Sequence, residues 1–236
     1  MIAVAIGSPT LQTTQTKSIE LISNLIMSMI FYGTPQSTYV RTVRLLLAEA
    51  GIEYSLKDIG IFNGDNKTQE YLAKHPFGKV PTVEIDGIKI YETAAITYYI
   101  NQKLAGGKFA PPDLLGQTRM RQIMAIIDSY LYNPAVGTIV IQNLIVPDQG
   151  GETDRQAVQD AIAPTQKALK AIEDLVVGTP FLVGSMISIA DFYLIPIFVY
   201  LEKTPQFNTL IVNTPKLRIW WNEVKMLNSV KEICAG

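Results

Sequence analysis

The hydroxyl best placed for chemistry in this chain belongs to Ser37. It follows a short apolar segment and a Gly-Thr-Pro-Gln turn, and it directly precedes a predicted helix. A serine at a helix N-terminus is most often a cap and nothing more. Its hydroxyl can also donate a hydrogen bond to an anion, and the positive end of the helix dipole favours the same charge. Ser37 is therefore either a cap alone or a residue that also stabilises an anion.

A second candidate site is the turn His-Pro-Phe-Gly-Lys-Val-Pro-Thr-Val at residues 75–83. Pro81 has no backbone N–H, so it cannot lie in the middle of a sheet ladder, and it restricts Val80 to an extended conformation. An extended residue at the end of a sheet can pair with an extended peptide as one more strand would. The alternative is a simple connection between a helix and a strand.

The next helix is predicted to begin with two polar residues, Glu92 and Thr93. Thr93 is a candidate N-cap, and the free N–H groups of a helix start suit a carboxylate. The Glu92 carboxylate beside it can hold an ammonium group. Such a pair suits the head of an amino acid. Taken with the pairing edge at Val80, it implies a ligand that is a short peptide with a free amino-acid end.

Short strands and helices are predicted to position these residues. The first strand covers residues 29–32, and a helix over residues 39–50 ends at Gly51. A second strand covers residues 52–59, a second helix residues 68–74, and Asp86-Gly87 closes a hairpin. The first strand, helix and second strand form a βαβ unit with a parallel pairing. The order β-α-β-α-β-β-α resembles a thioredoxin fold with a mixed four-stranded sheet.

These motifs resemble the glutathione-binding half of the cytosolic glutathione S-transferases. The similarity runs from about Met29 to the end of the chain, and it is carried by the motifs Phe77-Gly78-Lys79-Val80-Pro81 and Glu92-Thr93-Ala94-Ala95-Ile96. It implies a cis peptide bond before Pro81 and a pairing of Val80 with the cysteinyl backbone of glutathione. It also implies that Glu92 and Thr93 bind the glutathione head group.

The segment Gly-Thr-Pro-Gln-Ser-Thr resembles the serine-type (phi-like, theta-like or bacterial) transferases, in which this serine stabilises the glutathione thiolate. A cysteine thiol has a pKa of about 8.5, and lowering it by roughly two units takes ~2.7 kcal/mol. A hydroxyl donor, the helix dipole and exclusion of water can together supply that energy. We therefore expect Ser37 to be catalytic, with Thr34 and Thr38 as the nearest alternatives and Tyr32 as the runner-up.

Two lysines are expected at the glycine end of glutathione. A basic residue at the position of Lys67 contacts the glycine carboxylate in the serine-type relatives, although Asn66 stands where they have a histidine. Lys79 can reach the same carboxylate, and a solvated side chain is the alternative for both lysines. Phe77 is an apolar ring in a turn. It packs under its own loop or, as in several classes of the family, inserts into a pocket of the partner subunit. The resemblance implies a homodimer.

The implied activity is conjugation of the glutathione thiolate to an apolar electrophile, in an enzyme with glutathione as co-substrate and no permanently bound cofactor. Peroxidase or isomerase activity at the same site is an alternative. A non-catalytic binding or assembly module is another, although such relatives often lose the site residues. The absence of a cysteine near Ser37 argues against the classes that reduce disulfides through a protein thiol.

The composition is that of a globular protein, with 236 residues and a formal net charge of −1. This charge does not favour nucleic acid or an anionic membrane. Cys234 is the single cysteine and His75 the single histidine, so we expect neither a disulfide framework nor a metal site. His75 is interpreted as a helix-end residue. A cytoplasmic protein with a free thiol is the simplest interpretation.

The chain divides into four predicted parts. Residues 1–28 form an extension that we expect to be poorly ordered and inessential, and residues 29–105 form the thioredoxin-like, glutathione-binding domain. A Gly- and Pro-rich linker covers residues 106–113, and residues 114–236 form an all-helical domain. Long helices are predicted over residues 117–146, with a kink at Asn133-Pro134, and 154–177.

Two further features are predicted in the helical domain. Ser188 and Asp191 have the form of a capping box before an apolar helix. The transferase family has the same cap in its sixth helix, so the resemblance implies that Asp191 is structural. The electrophile is expected between the domains, opposite Ser37. Its candidate contacts come from the first and fourth helices: Tyr39, Met124, Ile127, Asp128, Tyr130 and Tyr132.

Overall fold

A mixed four-stranded sheet forms the first half of the computed structural model, which describes residues 29–235. Its strands are β1 (Met29–Tyr32), β2 (Ser55–Lys57), β3 (Thr82–Ile85) and β4 (Ile88–Tyr91). The order is β2-β1-β3-β4; β2 is parallel to β1, and the other pairings are antiparallel. The expectation for residues 1–28 lies outside the described residues.

Helices α1 (Thr38–Ala50), α2 (Gln69–Leu72) and α3 (Thr93–Lys103) complete this half. Val40, Val43, Leu46 and Leu47 on one side of α1 are fully buried. Gly51 ends the helix with a left-handed φ of 66°. Strand β2 is shorter than the predicted residues 52–59. At its start, the Ile52 N–H donates to the Leu47 carbonyl, so Ile52 belongs to the helix end and not to the strand. The predicted thioredoxin-like order is confirmed.

The second half is built from helices, as predicted. They are α4 (Leu114–Ile126), two π-helical segments π1 (Ile127–Leu131) and π2 (Asn133–Ile145), α5 (Val146–Asp148), α6 (Arg155–Leu175), α7 (Ile189–Leu201), α8 (Phe207–Leu210), α9 (Pro215–Val224) and α10 (Asn228–Ile233). A coil over residues 104–113 joins α3 to α4.

The long helix predicted over residues 117–146 is bent and only partly α-helical. Leu114–Leu131 and Asn133–Asp148 lie at 52° to each other. Pro134 stands at the start of the second segment, where its missing N–H is tolerated. The predicted kink at this proline is therefore present. Hydrogen bonding of the wider i to i+5 type, which changes the direction of side chains, was not predicted.

Helix α7 forms the core of the second half and is buried on nearly every side. Its predicted capping box is confirmed. The Asp191 carboxylate accepts hydrogen bonds from the Ser188 N–H and hydroxyl, the Leu182 N–H and the Trp220 indole N–H. Asp191 is thus a structural residue that joins α7 to α9. Burial raises the pKa of its carboxyl, and these hydrogen bonds oppose the rise.

Among the described residues, no single helix is long and apolar enough to cross a membrane. The bent pair Leu114–Leu131 and Asn133–Asp148 passes this test only when its two parts are taken together.

Candidate functional site

A cavity of about 480 Å³ lies where the two halves of the chain meet. It is lined from the first half by Ser37, Tyr39, Ile61, Asn66, His75, Gly78, Lys79, Val80, Pro81, Glu92, Thr93 and Ala94, and from the second half by Asp128, Tyr132 and Tyr193. The sequence motifs at Ser37, Val80-Pro81 and Glu92-Thr93 therefore share one cavity.

Ser37 lies at the mouth of α1 and lines the cavity. Its backbone is extended, and its hydroxyl oxygen accepts a long hydrogen bond of 3.5 Å from the Val40 N–H. A hydroxyl group has one proton to donate besides the lone pairs that accept. Ser37 can therefore cap the helix and still donate its proton to an anion in the cavity. The two sequence interpretations of this residue are compatible.

The turn before β3 presents the backbone of Val80 to the cavity. The Val80–Pro81 peptide bond is cis, and no hydrogen bond joins the backbone of Val80 to another of the described residues. Asn66 holds the turn by donating to the Gly78 carbonyl at 2.7 Å, and the Tyr71 hydroxyl donates to the Lys79 carbonyl at 2.7 Å. The turn is thus held at the Gly78 and Lys79 carbonyls, while the backbone of Val80 stays available to a ligand.

Gly78 is required by the close packing of this turn. Its φ is 59°, and a Cβ here would lie 2.8 Å from the Asn66 carbonyl oxygen. Both the left-handed backbone and the close approach exclude a larger side chain.

Glu92 and Thr93 lie side by side at the start of α3. The helix begins at Thr93, so the N-cap is Glu92, and the prediction that Thr93 is the cap was wrong by one residue. Glu92 has a φ of 68° and its side chain makes no capping hydrogen bond. Such a φ is uncommon and costs energy for a residue other than glycine, and residues held in this way cluster at functional sites. The carboxylate of Glu92 is thereby exposed beside the free N–H groups of the helix start.

Of the two predicted lysines, the cavity includes Lys79 and not Lys67. Lys67 lies on an exposed 3-10 turn, Asp65–Lys67, outside the lining. Asn66 lines the cavity in its place, and within residues 29–235 its side-chain oxygen is buried without a hydrogen-bond partner. His75 also lines the cavity. Burial lowers the pKa of its imidazole, and the negative charge of Glu92 partly offsets this by acting to raise that pKa.

Three tyrosines and a carboxylate form the wall opposite the turn. The Tyr39 hydroxyl donates to Asp128 Oδ1 at 2.8 Å. The Tyr39 ring stacks on Tyr132 at 4.7 Å between centroids and meets the Tyr193 ring edge-on at 6.2 Å. Burial, with the Asp128 charge, raises the pKa of Tyr39, so this phenol stays a neutral donor. Partial burial raises the pKa of Asp128, and the Tyr39 hydrogen bond opposes that rise.

The wall contains only part of the predicted set. Tyr39, Asp128 and Tyr132 line the cavity, whereas Ile127 is fully buried, Met124 lines a different cavity and Tyr130 points into solvent. Tyr193 was missed because the strongly apolar α7 predicts a core helix. Tyr193 is buried, and it nevertheless lines the cavity.

The alternatives to Ser37 lie elsewhere. Tyr32 is buried and its hydroxyl donates to Glu84 at 3.2 Å. Thr34 bonds to Gln36, and Thr38 is buried in α1; none of these alternatives lines the cavity.

The loop before Ser37 is held by two side chains from different helices. Arg41 Nε of α1 donates to the Pro35 carbonyl at 3.3 Å, and the Tyr200 hydroxyl of α7 donates to the Gln36 carbonyl at 2.6 Å. The Arg41 guanidinium also lies over the Tyr200 ring, 4.8 Å from its centroid. The position of Ser37 thus depends on the second half of the chain. No role was predicted for either residue from the sequence.

Two family models match this chain. The model described as glutathione S-transferase, N-terminal domain, matches residues 27–102, and the one described as glutathione S-transferase, C-terminal domain, matches residues 123–227. Glutathione S-transferase F13 of Arabidopsis thaliana is 28% identical over 200 residues, which cover 84% of this chain and 91% of the relative. Probable glutathione S-transferase GSTF1 of Oryza sativa subsp. japonica is 29% identical over 210 residues, which cover 86% and 94%.

Solved structures of glutathione transferases are also similar to this chain. Glutathione transferase F7 from Populus trichocarpa superimposes with a TM-score of 0.77 at 29% identity, covering 87% of this chain and 97% of that one. A glutathione S-transferase I from maize, in complex with an atrazine–glutathione conjugate, superimposes with a TM-score of 0.76 at 25% identity, covering 88% and 97%. The two matched domains, the shared architecture and the Ser37 segment show that the chain belongs to the glutathione S-transferase family, as a serine-type, phi-like member.

Proposed function

We propose that this protein is a glutathione transferase, which conjugates the glutathione thiolate to an electrophilic carbon of a small, largely apolar substrate. The observation that carries the proposal is the meeting of three features in one cavity. These are the Ser37 hydroxyl at the start of α1, the available backbone of Val80 before cis-Pro81, and Glu92 with Thr93 at the start of α3. Together they match the sulfur, the cysteinyl backbone and the γ-glutamyl head of glutathione.

In the proposed binding mode, the γ-glutamyl ammonium pairs with the Glu92 carboxylate, and its carboxylate receives the N–H groups at the start of α3. The Thr93 hydroxyl adds a donor at the same end. Val80 pairs with the cysteinyl N–H and C=O as an edge strand would. Lys79 is the lysine that lines the cavity, so it takes the glycine carboxylate. Lys67, which lies outside the lining, contributes at most a long-range attraction.

The chemical step follows from this placement. Ser37 donates a hydrogen bond to the sulfur, and the α1 dipole favours the thiolate over the thiol. The sulfur forms a bond to the electrophilic carbon, and the leaving group departs with the electron pair of the bond that breaks. The thiol proton goes to solvent. Glutathione is a co-substrate in this scheme.

A homodimer is part of the proposal. The Phe77 ring is 70% exposed at the turn, beside the rings of His75 and Tyr91. A cavity of about 450 Å³ between α3 and α4, lined in part by Met120 and Met124, offers an apolar acceptor for this ring in a second copy. We place the protein in the cytoplasm, consistent with its buried free thiol at Cys234.

The test is a conjugation assay with glutathione and 1-chloro-2,4-dinitrobenzene, followed by absorbance of the thioether. The parent protein should show saturable turnover in both substrates, and Ser37→Ala should lower kcat/KM at least tenfold. Ser185→Ala, on an exposed loop outside the cavity, is the matched control and should behave as the parent. A parent protein without turnover that still binds glutathione would support a non-catalytic module instead.

A further inference from the structure

One carboxylate of the protein, that of Asp128, has no positively charged partner in the cavity after the proposed binding of glutathione. Two carboxylates, Glu92 and Asp128, and one lysine, Lys79, line the cavity. The glutathione ammonium pairs with Glu92, and the glycine carboxylate pairs with Lys79. Asp128 lies on the opposite wall, and its hydrogen-bond partner is the neutral hydroxyl of Tyr39. The electrophile therefore meets a carboxylate that has no counter-charge.

The geometry leaves Asp128 able to bind a ligand. The Tyr39 hydroxyl occupies Oδ1 at 2.8 Å, and an ionised carboxylate has about four acceptor positions on its two oxygens. The side chain is exposed where it lines the cavity, so the remaining positions are accessible. Asp128 therefore presents acceptors and no positive charge to an incoming substrate.

Three tyrosine rings next to this carboxylate provide an aromatic surface on which a substrate can pack. Tyr132 stacks on Tyr39 with an interplanar angle of 26°, and Tyr193 meets Tyr39 edge-on at 76°. Flat rings pack well against such a wall in stacked or edge-on arrangements. An aromatic electrophile that packs against Tyr39 would lie close to Asp128, because the Tyr39 hydroxyl contacts this carboxylate.

We propose that Asp128, which accepts a hydrogen bond from Tyr39, is a specificity residue for aromatic electrophiles that carry a neutral or cationic hydrogen-bond donor, and that its charge rejects those that carry a carboxylate. This rests on the proposed transferase function, because it assigns the second substrate of that reaction. A donor on the ring satisfies the open acceptor positions of Asp128. A carboxylate meets a like charge in a partly desolvated site, where repulsion is stronger than in water.

The test compares two electrophiles of nearly the same shape, 4-chloro-3,5-dinitrobenzamide and 4-chloro-3,5-dinitrobenzoate. In both, the glutathione sulfur bonds to the carbon that bears chlorine, and chloride leaves with the electron pair. The measured quantity is kcat/KM for each substrate divided by its uncatalysed rate constant with glutathione. The parent protein should favour the amide over the carboxylate by at least tenfold on this corrected scale.

Three variants separate the contributions. Asp128→Asn removes the charge at constant shape and should lower the corrected amide-to-carboxylate ratio at least fivefold. Tyr39→Phe keeps the charge and frees one more acceptor, so the ratio should stay equal or rise. Glu152→Gln makes the same change of charge on an exposed loop outside the cavity and should leave the ratio unchanged. Asp128→Ser serves if the asparagine variant does not fold.

The outcomes are distinct. A ratio that is the same in Asp128→Asn and in the parent would overturn the proposal. So would an Asp128→Asn variant whose only change is a higher KM for glutathione, since Asp128 would then serve the co-substrate. If the parent protein turned over neither electrophile, the proposed transferase function itself would be wrong. This result would be known before any variant is compared.

Discussion

At the scale of single residues, Glu92 has a strained backbone that lowers the stability of the fold and places its carboxylate in the proposed glutathione site. Its φ of 68° holds an L side chain in a conformation that costs of order 1–3 kcal/mol, and its carboxylate makes no capping bond in return. Within the described residues the Glu92 carbonyl accepts a hydrogen bond from the Ile96 N–H, and no hydrogen bond to the side chain offsets the strain. In the proposed function it aims the carboxylate at the glutathione ammonium. This makes Glu92 a residue where stability and binding should respond in opposite directions.

Glu92→Gly should be at least as stable as the parent protein, because glycine adopts a positive φ with less strain. The same variant should raise the KM for glutathione at least tenfold, since the partner of the ammonium is gone. Urea denaturation and initial rates measure the two effects. Glu92→Gln is the control that keeps the backbone strain and loses only the charge. A glycine variant more than about 1 kcal/mol less stable would show that the side chain has a structural role.

Lys79 and Lys67 form a matched pair at the glycine end. Lys79→Ala should raise the KM for glutathione several-fold, because this lysine lines the cavity. Lys67→Ala should change it less than twofold, because the side chain lies on an exposed turn. Equal effects from the two substitutions, measured as initial rates at several glutathione concentrations, would contradict this assignment.

At the scale of secondary-structure elements, helix α7 of the second half controls the loop that carries Ser37. Tyr200 from α7 and Arg41 from α1 donate to the carbonyls of Gln36 and Pro35. The core helix thus determines where the Ser37 hydroxyl stands. This is a positioning role, since neither side chain is part of the cavity lining.

Tyr200→Phe should lower kcat/KM by roughly two- to twelvefold, the effect of losing one hydrogen bond of about 0.5–1.5 kcal/mol. The loss should come with an upward shift in the pH profile of kcat/KM, because a displaced Ser37 stabilises the thiolate less well. Tyr130→Phe removes an exposed hydroxyl outside the cavity and is the control. A Tyr200→Phe variant with lower stability and an unchanged pH profile would assign the residue a structural role alone.

The elements that the sequence predicted well are those with strong local signals. Each of these features depends on backbone preferences within a few residues. They are the helix end at Gly51, the Asp86-Gly87 hairpin, the Asn133-Pro134 kink and the Ser188–Asp191 capping box. The shorter β2 and the start of α3 at Thr93 depend on hydrogen bonds and backbone angles that composition does not reveal. Tyr193 and Tyr200 escaped prediction for the same reason: their roles arise from contacts with residues more than 100 positions away.

At the scale of the whole molecule, the site is shared between the two halves of the chain. The first half supplies the residues proposed to bind glutathione, and the second supplies Asp128, Tyr132 and Tyr193 to the opposite wall. Of the first-half residues predicted for the site, Ser37, Lys79, Val80, Glu92 and Thr93 line the cavity and Lys67 does not. His75, which was interpreted as a helix-end residue, lines it as well. The second set was predicted less completely, because an aromatic residue on a helix has the same local signal in a core as in a cavity wall.

The proposed dimer gives a prediction at this scale. Phe77→Ala should shift the protein towards monomer in analytical ultracentrifugation, because the exposed ring is the proposed plug between subunits. Phe62→Ala, which removes a similarly exposed ring away from the turn, should leave the sedimentation unchanged. The idea fails if the parent protein sediments as a monomer at concentrations above those of the assay.

The central claim is that Ser37 holds the sulfur of bound glutathione as a thiolate. The most direct measurement is a pH titration of thiolate ultraviolet absorbance for glutathione bound to the parent protein and to Ser37→Ala. We predict an apparent pKa well below that of free glutathione in the parent and a return towards the free value in the variant. A bound thiol that titrates as free glutathione does, in both proteins, would contradict the claim.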